Sequence, residues 1–156
     1  MRIREWNVDE APPIDLLLLA DPSQKLVDNY LNKGFCYVAD SNGEIIGVYI
    51  LLPISPRTVE LVNIAVSENE QGRGIGKQLL KDAIRQSKNK GYNTIEVGTG
   101  NSSIEQLAFY QKCGFRIIGV ESDYFTRHYE DKIFENGIWC RDRIRLSYDI
   151  LKSPLD

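Results

Sequence analysis

The sequence has few of the residues on which metal sites and disulfide frameworks depend. Its 156 residues include one histidine, His128, and three cysteines, Cys36, Cys113 and Cys140. The cysteines are odd in number, widely spaced and without a CxxC pair, so they predict neither a disulfide framework nor a zinc site. A lone histidine also argues against a histidine-based metal site. We therefore expect no bound metal and a reducing, cytoplasmic environment.

Long apolar runs and an excess of positive charge are missing as well. The apolar run at 14–20 is interrupted by Asp15 and is far shorter than the roughly 20 residues of a membrane span. It follows Pro12 and Pro13, which suits the start of a helix better than a signal peptide. The 19 Lys and Arg residues against 22 Asp and Glu give a net charge of −3, and the chain has no basic run. We expect neither a membrane nor a nucleic acid as partner.

The remaining composition is that of an ordinary globular protein, with 42% hydrophobic and 26% charged residues. Because neither a repeat nor a linker divides the chain, we expect a single domain over residues 1–156. Apolar periodicity and turn residues predict a mixed α/β order of elements. The predicted strands cover 1–8, 35–39, 45–52, 59–66, 94–98, 115–120 and 144–150, and the predicted helices cover 14–20, 24–31, 74–90 and 103–113. The segment 121–143 is too polar and irregular to assign.

The most informative stretch is 58–80, TVELVNIAVSENEQGRGIGKQLL, in which an apolar strand leads through a polar loop and three glycines into an amphipathic helix. Unpaired N–H groups at a helix N-terminus bind anions, and glycines allow the anion to approach the backbone closely. The glycines are Gly72, Gly74 and Gly76. Arg73 and Lys77 can add positive charge, although a solvated helix start is the alternative for both. This stretch predicts a phosphate-binding site.

Two common phosphate-binding motifs do not match the spacing of these glycines. A Walker A loop needs G-x-x-x-x-G-K-[ST], but three residues separate Gly72 from Gly76, and Gln78 stands where a hydroxyl would bind magnesium. A Rossmann fingerprint needs G-x-G-x-x-G directly after a strand. Here Lys77 occupies the place of the third glycine, and the loop 67–71 is too long. Nucleotide hydrolysis at a variant P-loop is therefore a weaker hypothesis.

The motif Q-x-x-G-x-G at 71–76 resembles the Q/R-x-x-G-x-G/A signature of the GNAT superfamily, the acetyl-CoA-dependent N-acetyltransferases. The strand end NIAV at 63–66 and the acidic loop after it are similar to the family's approach to that signature. Further on, Asn101 and the segment LAFYQKCGF at 107–115 resemble its second signature, a helix that bears a tyrosine and ends in Gly-Phe. The resemblance covers about residues 35–120.

This resemblance implies both a fold and a cofactor. The fold is a central mixed, mostly antiparallel sheet of about six or seven strands flanked by helices, splayed at the strands 59–66 and 94–98. Acetyl-CoA is the implied co-substrate, with its pantetheine along the first of these strands and its pyrophosphate on the glycine loop. The implied cofactor-binding residues are Ile64, Ala65, Val66, Gln71, Gly72, Arg73, Gly74, Ile75, Gly76, Lys77 and Asn101. A cap of the following helix is an alternative, compatible role for Asn101.

Two side chains are candidates for the chemistry of acetyl transfer. By the period of two, Glu60 shares a strand face with the apolar residues at 62, 64 and 66, where burial would raise its pKa toward that of a general base. The resemblance places the glutamate base of the histone-acetylating branch at this position. It also places Tyr110 near the CoA sulfur, as the acid that protonates the leaving thiolate. An exposed or ion-paired Glu60 and a purely packing Tyr110 are the alternatives.

The implied activity is transfer of an acetyl group from acetyl-CoA to a primary amine of a small molecule or peptide, by direct attack in a ternary complex. The acidic and aromatic side chains of 121–143 would suit a cationic amine, while a polar hairpin with core aromatics is the alternative for that segment. A non-catalytic acyl-CoA-binding sensor on the same fold is the rival function. The resemblance is also compatible with a homodimer.

Overall fold

The structure is a computed structural model that describes residues 1–152. Its strands are β1 (Arg2–Glu5), β2 (Phe35–Ser41), β3 (Glu44–Pro53), β4 (Thr58–Val66), β5 (Thr94–Gly100), β6 (Arg116–Glu121), β7 (Ile133–Glu135), β8 (Ile138–Cys140) and β9 (Arg143–Asp149). Its helices are α1 (Ile14–Ala20), α2 (Gln24–Lys33), α3 (Ile75–Asn89), α4 (Ile104–Lys112) and α5 (Tyr124–His128). The last four residues of the domain predicted over 1–156 lie outside the described residues.

Each strand and helix predicted from the sequence is present, within a few residues at its ends. The segment 121–143, which periodicity left unassigned, forms the short helix α5 and the hairpin of β7 and β8. These elements are too short to show a hydrophobic period of their own, which explains why the sequence pattern did not indicate them. No helix in the part of the chain that the structure describes is long and apolar enough to cross a membrane.

Seven strands form one mixed sheet in the order β1-β2-β3-β4-β5-β9-β6. Neighbouring strands are antiparallel except β4 and β5, which run parallel. The parallel pairing extends from Thr58↔Thr94 only to Leu61↔Val97, although both strands continue. Beyond these pairs the strands diverge and leave an opening between the end of β4 and the end of β5. The seven strands, their mixed arrangement and the splay at β4 and β5 confirm the predicted fold.

Helices cover the sheet on both faces. On one face, α3 packs Leu79 and Leu80 into an apolar cluster, and on the other, α1 and α2 contribute Leu17 and Val27 to a second cluster. These four side chains are at most 1% exposed. Full burial of one such side chain stabilises the fold by about 1.5 to 3 kcal/mol. The two clusters therefore decide which face of the sheet each helix covers.

Strand β4 contains a β-bulge at Val62. Asn63 pairs with Ile50 of β3, and Leu61 pairs with the next residue, Leu51, so that two steps along β4 correspond to one step along β3. An extra residue of this kind interrupts the alternation of side chains along a strand. The alternation of side chains between the two faces of the sheet therefore shifts by one residue at Val62.

The bulge separates Glu60 from the residues with which it was predicted to share a face. Leu61, before the bulge, and Ile64 and Val66, after it, all contact the cluster on the α3 side. Glu60 alternates with Leu61 and lies with Val62 on the face of α1 and α2. The predicted common face of Glu60 with positions 64 and 66 is therefore wrong, because a period of two holds only along an uninterrupted strand.

Candidate active site

A cleft of about 470 Å³ lies between α3, α4 and the end of β4 beyond its last pair with β5. Its walls include the end of β4, the glycine loop with the first turn of α3, and Phe109 and Tyr110 of α4. Eight of the predicted cofactor residues line it: Ile64, Ala65, Val66, Gln71, Gly72, Gly74, Ile75 and Gly76. A cleft of this size, apolar on one side and with a helix N-terminus on the other, fits part of an extended ligand that carries phosphate.

The glycine loop takes a backbone conformation that requires glycine. Gly72 and Gly74 have φ angles of 80° and 79°, in the left-handed region that other L residues enter at a cost. Gly74 is the N-cap of α3, so the N–H groups of the turn after it have no partner within the helix. A Cβ on Gly76 would lie 3.9 Å from both Phe109 and Val66, which form walls of the cleft. The loop thus presents bare backbone to the cleft.

A side-chain hydrogen bond joins this loop to the end of β4. Gln71 Nε2 donates to the carbonyl oxygen of Val66 over 3.1 Å. The first residue of the Q-x-x-G-x-G motif therefore fixes the distance between the two backbone segments that line the cleft.

Arg73 and Lys77 lie outside the cleft lining. The Arg73 side chain is 69% exposed and forms an ion pair of 3.1 Å with Glu70, and Lys77 is exposed on the first turn of α3. This arrangement is the solvated helix start that the sequence left as an alternative. Contacts of these two cations with a cofactor stay a prediction.

Asn101 is held by the connection between β8 and β9. Its Nδ2 donates to the Trp139 carbonyl over 3.1 Å, and its Oδ1 accepts from the N–H groups of Arg141 and Asp142 at 2.8 and 2.9 Å. The residue at the N-cap of α4 is Ser103, and its hydroxyl donates to Glu135 instead of capping. The structure thus gives the Asn101 amide a role in holding a loop, and its predicted cofactor contact stays a prediction.

Tyr110 lies in the wall of the cleft and is 6% exposed. The rings of Phe109 and Phe115 lie 5.4 and 5.6 Å from its ring. Burial raises the pKa of Tyr110 well above its ordinary value. The hydroxyl is therefore protonated at neutral pH, which is the state that a proton donor needs.

A second pocket, of about 220 Å³, lies further back along β4. It is enclosed by the loop after α1, by α5, by the β7–β8 hairpin and by the ends of β5 and β9, and Glu60 and Val62 line it from β4. Ala20 lines both pockets, so they adjoin. The segment 121–143 thus forms much of a pocket wall, and its predicted role in binding a cationic amine stays a prediction.

Glu60 forms an ion pair across the sheet. Arg143 Nη2 donates to Glu60 Oε2 over 2.7 Å, and Arg143 Nη1 donates to Glu121. The Arg143 guanidinium also lies 5.4 Å from the centre of the Tyr124 ring. Burial raises the pKa of Glu60 above its ordinary value, although the charge of Arg143 opposes that rise. The ion-paired alternative for Glu60 is present, and its role as a base stays a prediction.

The sequence interpretation missed Arg143 and Gly98. Strand β5 lies between β9, which carries Arg143, and β4, which carries Glu60. A Cβ on Gly98 would lie between 2.1 and 2.3 Å from the Nε, Cζ and Nη2 atoms of Arg143. Gly98 therefore leaves the space through which the arginine crosses β5. A glycine inside a strand is a known sign of such a close approach, and it was the available signal.

Hydrogen bonds connect the wall of the second pocket to the bulge of β4. Asp21 accepts from the Tyr129 hydroxyl at 2.9 Å and from the Tyr30 hydroxyl at 3.2 Å. Tyr30 accepts in turn from Asn63 Nδ2 at 2.7 Å, and the same amide donates to the Leu17 carbonyl at 2.9 Å. The loop after α1 is thus held between α5 and the strand.

The second pocket carries more negative than positive charge. The carboxylates of Asp21, Glu60 and Glu135 line it together with one cation, Arg143. The hydrogen bonds to Glu135 come from hydroxyls, including that of Ser103 at 2.8 Å, which do not neutralise it. Within residues 1–152 no group of three or more His, Cys, Asp or Glu side chains is arranged to hold a metal ion.

Comparison with known proteins agrees with this geometry. The model of the Acetyltransferase (GNAT) family matches residues 1–115. A Bacillus subtilis protein named uncharacterized N-acetyltransferase YvbK is 60% identical over 136 residues, which are 87% of this chain and 88% of that protein.

Two solved structures resemble this one along nearly their whole length. A GNAT family acetyltransferase from Elizabethkingia anophelis with acetyl-CoA bound has a TM-score of 0.93 and 49% identity, over 95% of this chain and 97% of that one. A Bacillus subtilis acetyltransferase in complex with CoA has a TM-score of 0.90 and 56% identity, over 95% and 97%. These findings confirm the predicted acyltransferase class. The chain belongs to the GNAT family of acetyltransferases.

Proposed function

We propose that this protein transfers the acetyl group of acetyl-CoA to a primary amine of a small molecule or peptide, by direct attack in a ternary complex. The observation that carries the proposal is that two adjoining pockets are lined by successive parts of β4. Residues 64–66 line the cleft with the glycine loop, and Glu60 and Val62 line the second pocket. Adjacent donor and acceptor sites favour direct transfer, because holding two reactants side by side removes much of the entropic barrier.

The cleft is the proposed site of acetyl-CoA. The N-terminus of α3 carries about half a positive charge, and its free N–H groups suit the pyrophosphate. The pantetheine arm would follow Ile64–Val66, where a backbone N–H would polarise the thioester carbonyl. In this proposal the side chains of Arg73, Lys77 and Asn101 contact the cofactor outside the cleft. The E. anophelis and B. subtilis relatives, whose structures contain acetyl-CoA and CoA, support this placement.

Glu60 is the proposed base and Tyr110 the proposed acid. An alkyl amine with a pKa of about 10.4 is mostly protonated at pH 7, which costs about 4.6 kcal/mol relative to the free amine. General-base catalysis contributes roughly 10² to 10⁴-fold, enough to offset part or most of that cost. The leaving thiol has a pKa near 8.5, so the contribution of Tyr110 should be modest.

The second pocket is the proposed acceptor site, and its chemistry favours a cationic amine. Asp21, Glu60 and Glu135 would attract a positive charge, and the faces of Tyr124 and Tyr129 would add cation–π contacts. Its volume of about 220 Å³ suits a small amine or a single side chain of a peptide.

Residues 1–156 are proposed to act as one cytoplasmic domain, and the free cysteines Cys36, Cys113 and Cys140 are consistent with a reducing compartment. Independence from metals, nucleic acids and membranes remains an expectation from composition.

Substitution of the loop glycines should remove acetyl-CoA binding and leave the fold largely intact. In Gly74→Ala the new Cβ strains the positive φ by about 1 to 2 kcal/mol, and Gly76→Asp adds a negative charge beside the phosphates. Gly91→Ala is the matched control, because Gly91 also has a positive φ of 89° but lies at the other end of α3. Calorimetry with acetyl-CoA measures the affinity, and equal affinity in Gly74→Ala and wild type would exclude this role of the loop.

A panel of polyamines, aminoglycosides, amino acids and peptides, read by release of free thiol from acetyl-CoA, tests the activity. We expect amine-dependent thiol release, highest for cationic amines. A protein that binds acetyl-CoA but releases no thiol with any acceptor would be the acyl-CoA-binding sensor instead. Absence of acetyl-CoA binding would overturn both functions.

Glu60→Gln should lower turnover chiefly at low pH and leave the affinity for acetyl-CoA unchanged. At high pH the amine is already neutral, so the variant should approach the wild-type rate there. The pH dependence of kcat/KM with one cationic amine measures the effect.

Tyr110→Phe, measured in the same assay, should lower the rate less than Glu60→Gln and without the same pH dependence. An unaltered pH–rate profile in Glu60→Gln would remove Glu60 as the base. A Tyr110→Phe rate equal to wild type would leave Tyr110 a packing residue.

A homodimer through the edge strand β6 is a further part of the proposal. β6 ends the sheet, and Ile117, Ile118 and Val120 on it are 52%, 48% and 56% exposed. An antiparallel second copy would place the Arg116 end of one strand opposite the Glu121 end of the other. Sedimentation velocity should show a dimer that Val120→Arg dissociates, and a wild-type monomer at tens of micromolar would contradict it.

A further inference from the structure

Arg143 lines the second pocket, the proposed acceptor site, which is called the acceptor pocket below. Among the described residues that line this pocket, it carries the one positive charge, and its side chain is only 13% exposed. Its two terminal nitrogens are divided between two carboxylates, Nη2 to Glu60 and Nη1 to Glu121. Because its two terminal nitrogens bond to two different carboxylates, both the position and the plane of the guanidinium are fixed.

The path of Arg143 across β5 depends on the missing side chain of Gly98. With a Cβ between 2.1 and 2.3 Å from Nε, Cζ and Nη2, any other residue at 98 would push the guanidinium away from the sheet. Gly119, on β6 at the other side of β9, has room for a Cβ. A Cβ there would lie 3.6 Å from Arg145 Nη1, an ordinary contact.

We propose that Arg143 is a positioning residue that keeps the Glu60 carboxylate ionised and directed into the acceptor pocket, and that Gly98 is the residue that admits it. The inference rests on the proposed function, in which Glu60 receives the proton of the acceptor amine. Arg143 bonds to Oε2 of Glu60, which leaves Oε1 as the oxygen that accepts this proton.

The groups around Glu60 show why it needs this partner. Glu96 on β5, Glu121 on β6 and the buried setting each disfavour its charged form, and Arg143 on β9 favours it. Tyr124 of α5 and Asp21 of the loop after α1 face the same pocket. Without Arg143 the carboxyl would lie among other carboxylates in a partly buried site.

Loss of Arg143 should raise the pKa of Glu60. Burial already raises the pKa of Glu60, and the loss of Arg143 would raise it further. The fraction of Glu60 that is ionised at pH 7 would then fall, and a protonated carboxyl cannot accept a proton. Activity on the acidic side of the pH profile should fall with it.

The test compares two variants with two matched controls. Arg143→Met removes the charge, and Gly98→Ala keeps the charge but displaces it. Arg85→Met and Gly119→Ala are the controls, since Arg85 also pairs with a carboxylate, Asp82 at 3.5 Å, but lies on α3 and does not line the second pocket. In protein labelled with ¹³C-glutamate, the Glu60 carboxyl resonance is titrated by NMR, with Glu60→Gln used to assign it.

Both test variants should raise the pKa of Glu60 by about 1 to 3 pH units, the usual effect of losing an opposite charge at this distance. The acidic limb of kcat/KM should move to higher pH by a similar amount, and both controls should stay close to wild type. Arg143→Lys retains the charge without the fork and should give a smaller rise. It also serves as the test if Arg143→Met does not fold.

The outcomes separate this inference from the proposed function. The inference would be overturned if the Glu60 titration were unchanged in Arg143→Met and Gly98→Ala. If Arg143→Lys is the only one of the three variants that folds, an unchanged Glu60 titration together with a wild-type pH profile in Arg143→Lys would overturn it. A raised Glu60 titration together with a pH–rate profile that neither Arg143→Met nor Glu60→Gln alters would support the role of Arg143 and overturn Glu60 as the base.

Discussion

The early end of the parallel pairing between β4 and β5 is the constraint on which the functional architecture depends. The ladder stops at Leu61 and Val97, while β4 continues to Val66. Backbone N–H and C=O groups that lose a strand partner need another one, from ligand or water, because leaving them buried and unpaired is costly. The splay therefore leaves backbone groups of β4 available to a ligand, next to the free N-terminus of α3.

The bulge at Val62 turns this single strand into a wall for two pockets. Before the bulge Glu60 faces the second pocket, and after it residues 64–66 line the cleft. Without the extra residue, Glu60 would lie on the α3 side of the sheet, away from α5 and the loop after α1. One interruption of the ladder thus turns Glu60 toward the proposed acceptor site, next to the proposed donor site along the same strand.

The charged groups of the second pocket are held by contacts between residues that are distant along the chain. Arg143 and Glu60 are separated by 83 positions in the sequence, and Tyr129 and Asp21 by 108. Each contact joins an element of the C-terminal third to one of the first half. The C-terminal segment therefore supplies the electrostatic setting of a carboxylate that the central strand carries.

The sequence by itself determined the features that depend on local backbone conformation. Strand and helix periods predicted the order of elements, and the glycines at 72, 74 and 76 predicted the loop, because positive φ angles and a free helix start are properties of neighbouring residues. Only the tertiary structure decided the face of Glu60, its pairing with Arg143 and the engagement of Asn101 with 139–142. These depend on a bulge and on the insertion of β9 between β5 and β6, which no local pattern encodes.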